Sequence, residues 1–165
     1  MIKRIKLLFL DIDGVLNDHR QFKNRYSPIQ PELVERLNLI LEAAPDVKIV
    51  LSSAWRYSFP LKKSIQTLLA VHGATCIGRI HGKTDRDPEH WTATHPKAHD
   101  REYWSQKGLQ WRRDQIIAYA QKAQCDRFVV LDDLPLDMDQ LVKTDPLRGI
   151  SVNNAIRAIA LLEAP

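Results

Sequence analysis

The chain has 165 residues, with 24 Lys and Arg against 20 Asp and Glu for a net charge of +4. A hydrophobic fraction of 44% with 27% charged residues, and no low-complexity tract, excludes a disordered or fibrous chain and leads us to expect a single folded domain over 1–165. The two widely separated cysteines, Cys76 and Cys125, exclude a disulfide framework, and no apolar run approaches the roughly 20 residues of a membrane span.

Ile5 to Leu10 is a short apolar run that stops at Asp-Ile-Asp-Gly, the pattern of a buried strand ending in a polar loop. Lys3, Arg4 and Lys6 precede it as in a signal peptide, but Asp11 and Asp13 interrupt the apolar stretch at once, so we expect a cytoplasmic protein in a reducing compartment. Pro31 and Glu32 open a segment with Leu33, Val34, Leu37, Ile40 and Leu41 at helical spacing. Val47 to Leu51 reads as a second strand, followed by Ser52-Ser53-Ala54-Trp55-Arg56. Ser64 to Val71 reads as a helix, and Ala74 to Ile80 as a third short strand. The stretch from His81 to Gln110 holds Pro88, Pro96 and four histidines without a clean period, and is expected to be an irregular insertion near the site. Helical spacing returns over Trp111 to Gln124, and Phe128 to Leu131 forms a strand ending in Asp132-Asp133. Ile150 to Val152 is expected as a last edge strand and Ala155 to Glu163 as a closing helix. Strands alternating with helices imply a three-layer α/β/α, Rossmann-like fold around a mainly parallel sheet. Three strands end in polar clusters, and ligands of such sheets bind beyond the carboxyl ends of the strands.

Carboxylates at Asp11 and Asp13, together with Asp132 and Asp133, make an acidic cluster that repels itself unless a cation relieves it. A hard divalent ion with oxygen ligands does so, and Mg²⁺ suits best because it takes one or two carboxylates, keeps waters and bridges to phosphate. With that charge offset, a carboxylate can attack phosphorus and form an acyl-phosphate that water later hydrolyses. A second carboxylic acid two residues away can protonate the leaving alkoxide.

Phe9-Leu10-Asp11-Ile12-Asp13-Gly14-Val15-Leu16-Asn17 resembles the first motif of the haloacid-dehalogenase (HAD) superfamily, most of whose members are phosphatases. Val50-Leu51-Ser52-Ser53 is similar to its second motif, Arg112 or Arg113 to its third, and Val130-Leu131-Asp132-Asp133 to its fourth. The words Ser-Ser-Ala-Trp-Arg and Trp-Arg-Arg-Asp-Gln-Ile-Ile-Ala-Tyr most resemble the phosphatase-type domain of Swiss Army knife RNA-repair proteins. The resemblance implies Asp11 as nucleophile and Asp13 as general acid/base, with the backbone carbonyl of Asp13 also on the metal. It implies Asp132 and Asp133 as further Mg²⁺ ligands, Ser53 as the phosphoryl-holding hydroxyl with Ser52 as its alternative, and Arg112 as the charge-neutralising cation with Arg113 as its alternative. Arg56, Ser52 and Arg113 are the expected substrate contacts. Only about forty residues separate the first two motifs, so no large cap is expected there, and an open mouth admits a polynucleotide end or a nucleotide as the phosphorylated substrate. A catalytically silent nucleic-acid-binding module is the competing class.

Other features have bland explanations. Asp137 and Asp139 either order the metal site or cap a following helix. The histidines at 81, 90, 95 and 99 lack metal-ligand spacing and read as surface residues. Trp91, Trp104 and Trp111, interleaved with Lys97, Arg101, Lys107 and the two arginines, either stack bases or pack an insertion onto the domain.

Overall fold

The computed structural model describes residues 5–18, 28–58, 62–76, 78–85, 97 and 100–164. Its elements are β1 (Lys6–Leu10), α1 (Pro31–Ala43), β2 (Lys48–Leu51), α2 (Trp55–Ser58), α3 (Lys62–Val71), β3 (Ile80–Lys83), α4 (Arg101–Lys122), β4 (Arg127–Asp132), β5 (Leu141–Lys143) and α5 (Val152–Glu163). The five strands form one sheet in the order β3-β2-β1-β4-β5, and every pairing is parallel. The chain steps outward from β1 to β3, then returns through α4 to β4 on the other side of β1. Strand order therefore reverses between β1 and β4, the position where parallel α/β sheets open a crevice for ligands.

Pleating sends alternate residues to opposite faces. Leu8, Leu10, Ile49, Leu51, Val129 and Leu131 join α1, α3 and α5 in the larger core. Leu7, Phe9, Val50 and Val130 pack instead with Ile116 and Ala120 of α4. The result is the expected three-layer α/β/α fold, and no large cap is present among the described residues. α1 starts with Pro31 in its first turn and Glu32 beside it, both suited to the free N–H groups and positive dipole end there. In α5 the side chains of Ser151 and Asn154 reciprocally cap the first turn.

Four expectations need correction. The third strand lies at Ile80–Lys83, after the segment expected from Ala74. The irregular stretch expected over 81–110 is narrower, because residues 81–83 belong to β3 and residues 101–110 to α4; its Trp91, His90, His95 and His99 lie outside the described residues. The edge strand is Leu141–Lys143, whereas Ile150 and Ser151 lead into α5. Asp137 and Asp139 cap no helix: the element that follows them is β5.

The early start of α4 has a physical explanation. Asp100 caps it by accepting the Tyr103 backbone N–H at 2.9 Å, yet none of the described side chains from Arg101 to Trp111 is buried. Arg112 sits level with the carboxyl end of β1, and Ala123 and Cys125 pack near Ile5 at its beginning. The turns of α4 before Leu109 thus extend beyond the sheet by about 12 Å at 1.5 Å per residue. Leu109 still packs against the core of Phe9 and Ile116, and the turns before it need no apolar stripe. Gly108 lies within the overhang, and a Cβ added there would meet nothing within 4 Å. Gly108→Ala is expected to stabilise the protein by about 0.5–1 kcal/mol, measured by chemical denaturation; an unchanged or lowered midpoint would contradict a helical residue 108 with open space around it.

Candidate active site

β1 and β4 pair in register from Lys6↔Arg127 to Leu10↔Leu131, so the next residues, Asp11 and Asp132, emerge side by side. Backbone bonds extend the ladder past the ends of the strands: Asp11 N–H donates to Leu131 O at 3.0 Å, and Ser52 N–H to Leu10 O at 3.0 Å. By alternation Asp11 continues the parity of Phe9, and Asp132 that of Val130, toward the layer occupied by α4. There Arg112 Nη1 donates to Asp11 Oδ2 at 2.6 Å and to Asp132 Oδ2 at 2.9 Å. Asp11 is 4% exposed and Asp132 fully buried.

Asp133 completes an acidic group with these two: one carboxylate oxygen from each of Asp11, Asp132 and Asp133 lies within 4.8 Å of the others. The proximity explains Gly14. Its φ is +71°, and a Cβ there would fall 2.6 Å from the Asp133 carboxyl carbon, so any other residue is strained by its backbone and by contact. Burial and the neighbouring Asp11 charge push the Asp132 carboxyl up to about 7, although Arg112 and the Leu134 N–H counteract this. For Arg112, burial opposes the charged form, but the fields of Asp11 and Asp132 override it and raise the guanidinium above its ordinary value. Three carboxylates against one half-buried arginine form a donor set that can hold a metal ion.

Asp13 stands apart from this group. Its Oδ1 accepts the Asn17 Nδ2–H at 2.8 Å and its Oδ2 accepts the Trp55 indole N–H at 2.9 Å. Its carboxylate, expected among the metal ligands, is not part of the three-carboxylate group. Of the two serines, Ser53 Oγ accepts the Trp55 backbone N–H at 3.3 Å, whereas Ser52 Oγ is buried without a hydrogen-bond partner. Ser52 follows Val50 in parity and so falls on the side of Asp11 and Arg112. Of the two arginines, Arg112 reaches the acidic group; the Arg113 side chain is 41% exposed and lies 4.0 Å from Asp114. Arg56, expected as a substrate contact, is buried. Its buried guanidinium donates to the carbonyls of Ser52 at 3.0 Å, Ser53 at 2.9 Å and Asp85 at 3.2 Å, which fixes the serine loop to the end of β3.

Two supporting residues had no assigned part in the sequence reading. Trp55 stands within the quoted serine word, so its position was visible while its bond to Asp13 was not. Thr144 Oγ1 donates to the Gly14 carbonyl at 2.7 Å; it follows β5, an element without a distinct sequence signal.

The doubly wound parallel sheet with a carboxylate group and an arginine at its switch point fits a haloacid-dehalogenase-type domain, and the family match shows it to be one. More narrowly, the chain belongs to the family of HAD domains in Swiss Army Knife RNA repair proteins, which it matches over residues 7–155. No curated protein and no solved structure gives a significant match. Among the described residues, no helix is long and apolar enough to cross a membrane.

The raised Asp132 carboxyl carries a sign for stability. The folded chain retains a proton that the unfolded chain releases above the ordinary value of 3.8, so stability falls as pH rises from about 4 to about 7. Thermal melts of the metal-free protein across that window are expected to show this fall, and Asp132→Asn to flatten it. A slope unaltered by that substitution would remove Asp132 as its source.

Proposed function

We propose that the chain is a Mg²⁺-dependent phosphomonoesterase that works through a phosphorylated Asp11. The observation that carries this reading is the Asp11 carboxylate at the switch point, held by Arg112 and grouped with Asp132 and Asp133. Asp11, Asp132 and Asp133 would hold the ion, with the Asp13 carbonyl as the further ligand the family motif suggests. When bound, Mg²⁺ would offset the charge of the carboxylates and of the phosphoryl group.

In the first step an Asp11 oxygen bonds to phosphorus while the bond from phosphorus to the leaving oxygen breaks. The electron pair goes to that oxygen, which takes the proton of Asp13 and departs as an alcohol. In the second step water attacks the same phosphorus and gives its proton to Asp13. The bond between phosphorus and Asp11 breaks, releasing inorganic phosphate and restoring both aspartates. Arg112 orients Asp11 in the free protein, and Ser53 or Ser52 would hold a phosphoryl oxygen.

We favour nucleic-acid ends as substrates, with free nucleotides as the alternative outcome. Two features support the choice besides the family. The first half of α4 overhangs the site and carries Arg101 and Lys107. A groove of about 420 Å³ lined by His81, Lys83, Asp85, Tyr119 and Lys122 runs between β3 and the second half of α4. None of the carboxylates of the acidic group lines it, and Lys122 lies about 15 Å along α4 from Arg112 at 1.5 Å per residue, so it would take a flanking phosphate rather than the reacting one.

Asp11→Asn is expected to abolish Mg²⁺-dependent hydrolysis of an aryl phosphate, by at least about 10³-fold, with the fold intact by circular dichroism; retained turnover would refute Asp11 as nucleophile. The substrate class is tested with 3′- and 5′-phosphorylated oligonucleotides against mononucleotides and sugar phosphates, with and without Mg²⁺. Lys122→Ala is expected to raise KM for the oligonucleotides alone and to reduce the salt slope of their binding by about 1. Equal effects on mononucleotides would leave the groove without that role.

A further inference from the structure

We infer that Trp55 is the positioning residue for the acid/base carboxylate: its indole N–H fixes one oxygen of Asp13 so that the carboxyl group faces the leaving oxygen. The inference deepens the two-step reaction described above and rests on the part given there to Asp13.

The geometry leaves little freedom to Asp13. Oδ2 accepts the Trp55 Nε1–H at 2.9 Å, and Oδ1 accepts the Asn17 Nδ2–H at 2.8 Å. The Asn17 amide is itself oriented, because its Oδ1 accepts the Gly14 N–H at 3.0 Å and its Nδ2 is thereby turned to Asp13. An indole N–H can only donate, so the Trp55 contact needs an acceptor, and each Asp13 oxygen retains a lone pair for a proton or a substrate atom. Two donors arriving at two oxygens define the plane of the carboxyl group, which a single donor would leave free to turn.

The donors differ in origin. Asn17 belongs to the same turn as Asp13 and moves with it. Trp55 comes from beyond β2, 42 residues away in sequence, with its ring packed against the main core. Its own backbone N–H is directed to Ser53 Oγ, in the loop that Arg56 holds by the carbonyls of Ser52 and Ser53. The rigidity of the core thus reaches the proton-transfer group through one hydrogen bond, and small displacements of such a group are costly in rate. Folding alone does not require this bond, since the N–H of a half-buried tryptophan can be satisfied by water.

The test exploits what a general acid does. A leaving group of low pKa departs without a proton, whereas an alkoxide needs one. In Trp55→Phe, which keeps an aromatic ring and loses the N–H, kcat/KM for an alkyl phosphate such as glycerol 2-phosphate is expected to fall roughly 10- to 100-fold. For 4-nitrophenyl phosphate the change is expected to stay within about 3-fold, because proton donation contributes little there. Adding Trp55→Phe to Asp13→Asn is expected to cost nothing further, since the two act through one group. Should the phenylalanine variant fold poorly, benzothienylalanine at position 55 preserves the ring shape without the N–H. Equal losses for both leaving groups, or losses that add to those of Asp13→Asn, would overturn the assignment while leaving the reaction intact. An unmodified chain that hydrolyses neither ester would overturn the two-step reaction and the role of Trp55 with it.

Discussion

Mutual repulsion among three carboxylates is the constraint from which the rest of this structure follows. Asp11, Asp132 and Asp133 converge at one spot in a largely buried environment, where like charges interact strongly. Arg112 relieves part of the repulsion by bonding two of them at once. The sheet makes the convergence unavoidable: β1 and β4 are neighbours in register, and each ends in aspartate at the same level. α4 must then return across the sheet on the face to which those aspartates point, and it brings the guanidinium with it. A fold organised only for stability would place apolar residues there, because buried charges rarely stabilise a fold beyond what apolar packing achieves.

Around that centre, each loop is held by bonds whose partners are distant in sequence. Gly14 gives Asp133 room, its carbonyl accepts the hydroxyl of Thr144, and its N–H engages Asn17. Arg56 gathers the carbonyls of the serine loop and of Asp85, and Lys83 donates in turn to the Arg56 carbonyl at 3.2 Å. The loops at the carboxyl edge are therefore fastened to one another as well as to their strands. Asp13 is separated from the acidic group by bonds of its own, which suits a carboxyl group that exchanges protons better than one that binds a cation throughout.

Much of this arrangement was legible in the residues. The apolar runs ending at Asp11, Ser52 and Asp132 marked three strands and their polar ends, because a strand buried on both faces leaves a continuous hydrophobic signal that stops where the polar loop begins. Arg112 could be separated from Arg113 only through its distance from Ile116, and in the fold it is Arg112 that bonds to the aspartates. What escaped the sequence reading lacked a pattern for physical reasons. β3 carries Ile-His-Gly-Lys, and β5 has only three residues at the sheet edge. The overhanging half of α4 has no buried face to impose a period. The bonds of Arg56 to the serine loop were not legible, because an arginine beside a motif looks the same whether it meets a phosphate or three backbone carbonyls.

The division of α4 into two halves also bears on how such a domain could diversify. The turns around Ile116 and Ala120 are committed to the interior, and Arg112 to the aspartates, so drift at those positions is tightly limited. The turns before Leu109 bury none of their described side chains. Charge, size and aromatic content can be rewritten there with little consequence for folding, while the altered surface stays tethered to the helix that carries Arg112. One continuous helix thereby separates inheritance of the chemistry from novelty in recognition.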